Sequence, residues 1–311
     1  MNVERWIILG WLFLCGTQST AAPPSGDAEI RGQAGPSEIV IRTTNRLAGA
    51  IDSLQWNGQE FIDSHDHGRQ LQSAASFDCA REGEFWAECF NPTEAGSRAD
   101  GVGRRSSSVL EKIEQEGPQL TTTATMAYWL APGEKSAGRP ALNSTVVSKH
   151  RLTKQLRIGY KALPHVIDYQ VTFHMPADEQ HNYGQFEALT GYMPPEFSKF
   201  FTFRPDTGEL APLDEGPGEQ KYPVVFSNDA GTHAMGVYSP QQPSRGYEDA
   251  GYGRWRFKAE KVVKWNCVFR ERNPRGISTD DRTYRVFVAV GTSEDVRQSL
   301  KELVKEFEPA K

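Results

Sequence analysis

From residue 38 onward, short runs of β-branched and aromatic residues alternate with turn signals almost to the end of the chain, and helix-spaced apolar positions are nearly absent. The alternation is sharpest over residues 167–174. There Ile167, Tyr169, Val171 and Phe173 fall on one face of an extended segment, and Asp168, Gln170, Thr172 and His174 on the other. Residues 48–62 predict a hairpin, because Leu54-Gln55-Trp56 and Gln59-Glu60-Phe61 flank Asn57-Gly58, a pair suited to the positive φ angles of a type I′ turn. Further strands are predicted over residues 38–43, 107–115, 119–130, 155–162, 222–228, 233–238, 254–270 and 283–290. The exception is the C-terminus. Thr292 or Ser293 can cap a helix there, Glu294 and Asp295 complement its positive end, and Val296, Leu300, Leu303, Val304 and Phe307 recur at helical spacing. No repeat of fixed period and no internal linker divides the strands. The pattern predicts an all-β fold, one domain over residues 37–311 in which two stacked antiparallel sheets bury half-apolar strands without crossover helices, closed by a short C-terminal helix.

The N-terminus reads differently. Residues 6–16 (WIILGWLFLCG) form an apolar run after Arg5 and before small polar residues, the layout of a secretory signal peptide over residues 1–21, with cleavage expected near Ala21 or Ala22. About eleven apolar residues fall short of the roughly 20 that cross a bilayer as a helix. A lipoprotein reading would use Cys15, but Leu14 stands where a small residue is required. The Pro/Gly/Ser-rich stretch 22–36 is expected to be a flexible linker, and the mature protein to be secreted or periplasmic, without membrane contact. Cleavage leaves Cys79, Cys89 and Cys267. Cys79 and Cys89 bracket a polar, Gly-containing stretch and are the expected disulfide, whereas Cys267 in an apolar run reads as a buried thiol. Asn143-Ser144-Thr145 is a glycosylation sequon, with meaning only in a eukaryotic source.

Composition narrows the partners. With 35 basic and 40 acidic residues among 311, the net charge of −5 offers no footprint for a nucleic-acid backbone. The sequence lacks a P-loop, a Rossmann glycine pattern, a Gly-x-Ser-x-Gly elbow, HExxH and CxxC, so nucleotide, redox-cofactor and serine-hydrolase readings find no support and no cofactor is expected; metal use at His65 and His67 is left open. Oligomeric state is left open by the sequence.

Leu47-Ala48-Gly49-Ala50-Ile51-Asp52-Ser53-Leu54, then Asn57-Gly58-Gln59-Glu60-Phe61-Ile62-Asp63, then Gly68-Arg69-Gln70-Leu71-Gln72 resembles the opening of galactose mutarotase-like proteins: a small-residue strand, a hairpin, and a return strand with Gly-Arg. The resemblance implies the two-sheet antiparallel β-supersandwich of that family, which includes aldose epimerases and domains of polysaccharide lyases and glycoside hydrolases, and so implies carbohydrate as partner. The epimerases carry a histidine acid after an asparagine, a second histidine and a late glutamate base. Here His181-Asn182 stands in reverse order and no late Glu has a matching context. That departure puts a plain mutarotase in doubt.

Three polar constellations carry the candidate chemistry. In residues 63–72, read as extended, Asp63, His65, His67 and Arg69 share one side, and Asp66, Gly68, Gln70 and Gln72 the other. His65 and His67 fit sugar binding or catalysis, an HxH metal pair completed by Asp63 or His233, or a structural turn. In residues 88–101, Glu94, Arg98 and Asp100 fit a loop that binds hydroxyls or a uronate, or a salt-bridged surface loop. In residues 181–192, His181, Tyr183 and Glu187 supply acid/base groups with Tyr192 beside them, while Tyr252 and Trp255 in a glycine-hinged segment can stack on sugar rings. His65, His67, His181, Tyr183 and Glu187 are thus the expected catalytic residues. Arg69, Gln70, Gln72, Glu94, Arg98, Asp100, Tyr192, Tyr252 and Trp255 are the expected substrate contacts, and the three constellations are expected to converge on one concave face. The function this implies is an exported enzyme that acts on a poly- or oligosaccharide, uronate-containing among the options, by lyase-like acid/base chemistry. The alternatives are a non-catalytic carbohydrate-binding or envelope protein and a sugar epimerase.

Overall fold

The computed structural model describes residues 24–247 and 249–307, so the expected signal peptide over residues 1–21 lies outside the described residues. Nineteen strands form one hydrogen-bonded antiparallel network, which resolves into two sheets. The first runs Val109–Glu116, Gln119–Tyr128, Val147–Tyr160, Leu163–His174, Arg282–Gly291, Ala234–Tyr238, Val224–Ser227, Lys199–Arg204 and Glu209–Pro212. The second runs Ala28–Ala34, Ser37–Thr43, Ile51–Trp56, Leu71–Phe77, Tyr183–Met193, Val262–Arg272, Tyr252–Phe257 and Gly218–Gln220, with Gln59–Glu60 turning back on Ile51–Trp56. The two-residue strand Pro92–Thr93 joins them, pairing with Ala74 on one side and with Ala127 and Tyr128 on the other.

The alternation over Leu163–His174 does what it predicts: Ile167, Tyr169, Val171 and Phe173 are buried in the core between the sheets. Leu152, Val286 and Met235 join it from the first sheet, and Ile41, Phe186, Trp265 and Cys267 from the second. The Tyr169 and Ser73 hydroxyls meet at 2.8 Å across the sandwich. Asn57 and Gly58 take φ of 48° and 79°, the I′ turn expected of them. The helix Ser293–Phe307 lays Val296, Leu300, Leu303 and Val304 on the outer face of the first sheet, against Val166, Phe203, Val225, Phe287 and Ala289. Thr292 caps it: its hydroxyl accepts from the Asp295 amide at 3.1 Å, and the Asp295 carboxylate accepts from the Thr292 amide at 2.9 Å. Among the described residues no helix is long and apolar enough to cross a membrane.

Three departures from the sequence reading concern the predicted linker, a strand boundary and the cysteines. The stretch expected as a flexible linker contains the strand Ala28–Ala34, paired along its whole length with Ser37–Thr43. Its inward positions are Ile30, Gly32 and Ala34. Two are too small to register as a hydrophobic alternation, yet a Cβ at Gly32 would stand 2.5 Å from Ile158 Cγ2, so the small residue is what admits the neighbouring side chain. Residues 254–270 form two strands, split by a turn at Lys261 with φ of 53°. Cys79 and Cys89 are free thiols, so the expected disulfide is absent: Cys79 sits in a left-handed turn and Cys89 is buried in the short helix Ala87–Phe90. Cys267 is free and fully buried, as its apolar run predicts.

Candidate functional site

The outer face of the first sheet carries the C-terminal helix. The outer face of the second sheet is polar and forms a groove. Its floor comes from three strands in register: Glu187 stands opposite Ala74, Thr190 opposite Gln72 and Asn266, and Tyr192 opposite Lys264. A bulge between Glu187 and Leu189 lets both Glu187 and Thr190 face the groove while Leu189 turns into the core opposite Cys267. Gly68, Glu88, Asn91 and Trp129 wall the groove, and small Ala74 and Ser76 leave space on the floor, giving a cavity of about 220 Å³. Gly68 is small for a reason, since a Cβ there would meet the Trp129 ring at 2.6 Å.

At the centre lies Glu187. The Thr190 hydroxyl donates to its carboxylate, and Lys264 Nζ stands 3.5 Å from it. Lys264 also lies 5.3 Å from the Tyr192 ring and 5.2 Å from that of Trp255. Burial alone would drive the Lys264 ammonium to lose its proton, but the Glu187 carboxylate and the Tyr192 hydroxyl outweigh it and hold the pKa above the ordinary lysine range. Burial keeps the Tyr192 phenol protonated, its pKa raised. The groove therefore offers an anion beside a fixed cation, a neutral phenol, side-chain amides and aromatic walls.

Of the residues singled out from the sequence, Gln72, Glu187 and Tyr192 line this groove, with Trp255 next to Lys264. The others lie elsewhere. Residues 63–70 are turns rather than a strand, so the expected alternation fails. His65 is exposed, in a turn in which its amide donates to the Asp63 carboxylate at 3.0 Å. His67 is 1% exposed, with one ring nitrogen 2.8 Å from the Gly101 carbonyl and the other 3.0 Å from that of Arg46. Both nitrogens are occupied, leaving none for substrate or metal. Arg69 pairs with Asp66 at 3.3 Å and Asp63 at 3.8 Å, and Gln70 is buried with its amide on the Asp66 carbonyl.

The 88–101 segment, read as a surface loop, is interior from Pro92 to Ser97. Its polar groups find buried partners, several of them from distant parts of the chain, which is why a polar string can be core. Glu94 is buried against Lys154 at 2.5 Å and accepts from the Ser73 amide at 3.0 Å. Asp100 accepts from the amides of Ser97 and Ser107, each at 2.8 Å. Arg98 pairs with Glu134 at 3.1 Å on the surface. His181 is buried against Glu179 and Phe77, and Tyr183 is buried under Arg272. Tyr252 is buried, its hydroxyl accepting from the Ser239 amide at 2.9 Å. The reading missed Lys264, Thr190, Trp129, Glu88 and Asn91.

No protein-family model matches the sequence, and no curated protein matches it significantly. Solved structures with a similar course include three from bacteria. One, an Escherichia coli K12 protein named provisionally as an aldose 1-epimerase, shares 8% identity over 86% of this chain and 99% of its own, with a TM-score of 0.47. The α-galactosidase from Lactobacillus brevis shares 9% identity over 92% of this chain and 42% of its own, with a TM-score of 0.45. An α-mannosidase from Enterococcus faecalis V583 shares 11% identity over 90% of this chain and 31% of its own, with a TM-score of 0.47. The chain thus spans under half the length of the two glycosidases.

Proposed function

We propose that the chain is an exported carbohydrate-active enzyme that holds a sugar in the groove and moves a proton at Glu187. One observation carries this reading: a carboxylate standing on the floor between the Thr190 hydroxyl and the Lys264 ammonium, in a groove walled by Trp129 and Tyr192. On a uronate-containing polysaccharide, Lys264 would neutralise the substrate carboxylate and Glu187 would take the proton from the adjacent ring carbon. The pair of electrons left behind forms the new carbon–carbon double bond as the glycosidic oxygen departs. The Tyr192 hydroxyl, kept protonated by burial, would give that oxygen its proton.

Purified protein screened against a polysaccharide panel, following both unsaturated-product absorbance and reducing ends, tests the reaction. Glu187→Gln should then lower turnover by about 10² or more while ligand affinity holds. If wild-type protein binds a polysaccharide without turnover, and Trp129→Ala loses that binding, the protein is a binder and the catalytic role of Glu187 falls. Export is part of the proposal and rests on residues 6–16. N-terminal sequencing of secreted protein should begin just after Ala21 or Ala22.

A further inference from the structure

His150, Glu179 and His181 lie outside the groove and converge from separate parts of the fold. His150 is on the Val147–Tyr160 strand of the first sheet, His181 leads into the Tyr183–Met193 strand of the second, and Glu179 sits two residues before His181 in the turn that follows the Leu163–His174 strand. Both histidines are buried, 2% and 3% exposed. Their Nε2 atoms approach the same carboxylate oxygen, Glu179 Oε2, at 2.8 and 3.0 Å. All three potential ligand atoms lie within 4.8 Å of one another. Phe77 holds both rings by stacking, its centroid 5.1 Å from His150 and 4.5 Å from His181, and Phe90 borders both.

We propose that His150, Glu179 and His181 form a zinc-binding site that ties the two sheets together. Two imidazole nitrogens and a carboxylate oxygen are the donor set that borderline divalent ions favour, zinc in particular. Ligand atoms about 2.1 Å from one ion are about 3.0 Å apart at a right angle and about 3.4 Å apart in a tetrahedron, so the two His–Glu spacings need shifts of only tenths of an ångström, and the two imidazole nitrogens, within 4.8 Å of each other, would draw together on the ion. Nδ1 of His181 has no hydrogen-bond partner, so the tautomer that frees Nε2 for a metal gives up the Glu179 hydrogen bond and leaves a buried N–H without an acceptor, a cost the metal bond must exceed. The missing outer partner also sets the scale: such partners are worth about 10- to 100-fold in affinity, so binding is expected to be weaker than at a fully supported zinc site. Three protein ligands leave a fourth position for water.

The test is a calorimetric titration of chelator-treated, full-chain protein with zinc chloride. The expected result is one zinc per chain, a Tm raised by about 5 °C at a hundredfold excess over Kd, and visible absorption bands when cobalt(II) replaces zinc. Glu179→Gln keeps an oxygen for the two imidazoles and removes the charge. It should weaken zinc binding about tenfold or more, and His181→Gln should abolish it. Absence of saturable binding by the wild-type protein overturns the proposal whether or not the variants fold. So does binding unchanged in both variants, which would place the ion elsewhere.

Discussion

Lys154→Met isolates the buried pair at the join between the sheets. Lys154 and Glu94 are 0% and 1% exposed, and Lys154 Nζ bonds both the Glu94 carboxylate at 2.5 Å and the Gly49 carbonyl at 3.0 Å. Methionine fills nearly the same volume and removes both bonds. Glu94 is then left as a buried anion with only the Ser73 amide at 3.0 Å to solvate it. Breaking a buried pair from one side costs about 3–5 kcal/mol, a large share of the roughly 5–15 kcal/mol that holds a folded domain. With an m-value near 3 kcal/mol/M, that moves the urea midpoint down by about 1–1.7 M. Adding Glu94→Gln should recover most of the loss. The amide oxygen can still accept from Ser73, the amide nitrogen can turn to the Gly49 carbonyl, and no buried charge remains. Equilibrium urea unfolding of the wild type, both single variants and the double variant closes the cycle. A Lys154→Met loss below about 1 kcal/mol, or a double variant no more stable than the single, would refute the reasoning and reopen Glu94 as a ligand contact.

Alkaline pH offers a second check. Burial raises the phenol pKa of Tyr169, Tyr192 and Tyr284 above the ordinary value near 10. The folded chain therefore keeps protons that the unfolded chain releases, and stability present below pH ~10 should fall as pH rises beyond it; reversible ionisation of these phenols near pH 10 with the fold intact would contradict this. Gly191→Ala places a Cβ 2.5 Å from the Trp265 indole and should cost about 1–3 kcal/mol, measured by the same urea assay. Thr292→Ala removes the helix cap and should cost about 0.5–2 kcal/mol, with a matching fall in Tm.

The sandwich, the hairpin and the closing helix were legible because each rests on local periodicity: Asn57-Gly58 for the turn, Ile167 to His174 for a two-faced strand, Val296 to Phe307 for a helix. The site was legible only where its residues sit on strands. Glu187 and Tyr192 were found that way. Lys264 was within reach of the same logic, since in Val263-Lys264-Trp265-Asn266-Cys267 the alternation sets Lys264 and Asn266 opposite Trp265 and Cys267. The 88–101 stretch misled because polarity was equated with exposure, and only long-range partners such as Lys154 show otherwise. His67 misled in the same way: the carbonyls of Gly101 and Arg46 that occupy its ring come from distant loops.

The floor of the groove has a consequence for how the molecule comes into being. Leu71–Phe77, Tyr183–Met193 and Val262–Arg272 lie side by side in the sheet but far apart along the chain. Pairings of this kind close long loops before any contact rewards them, so folding is expected on the slow side, in milliseconds to seconds. On the ribosome, Gln72 and Glu187 must wait for Lys264 before the cleft exists. A nascent chain halted before the Val262–Arg272 strand presents the open edge of Tyr183–Met193 instead, a surface suited to a chaperone or to another unfinished copy.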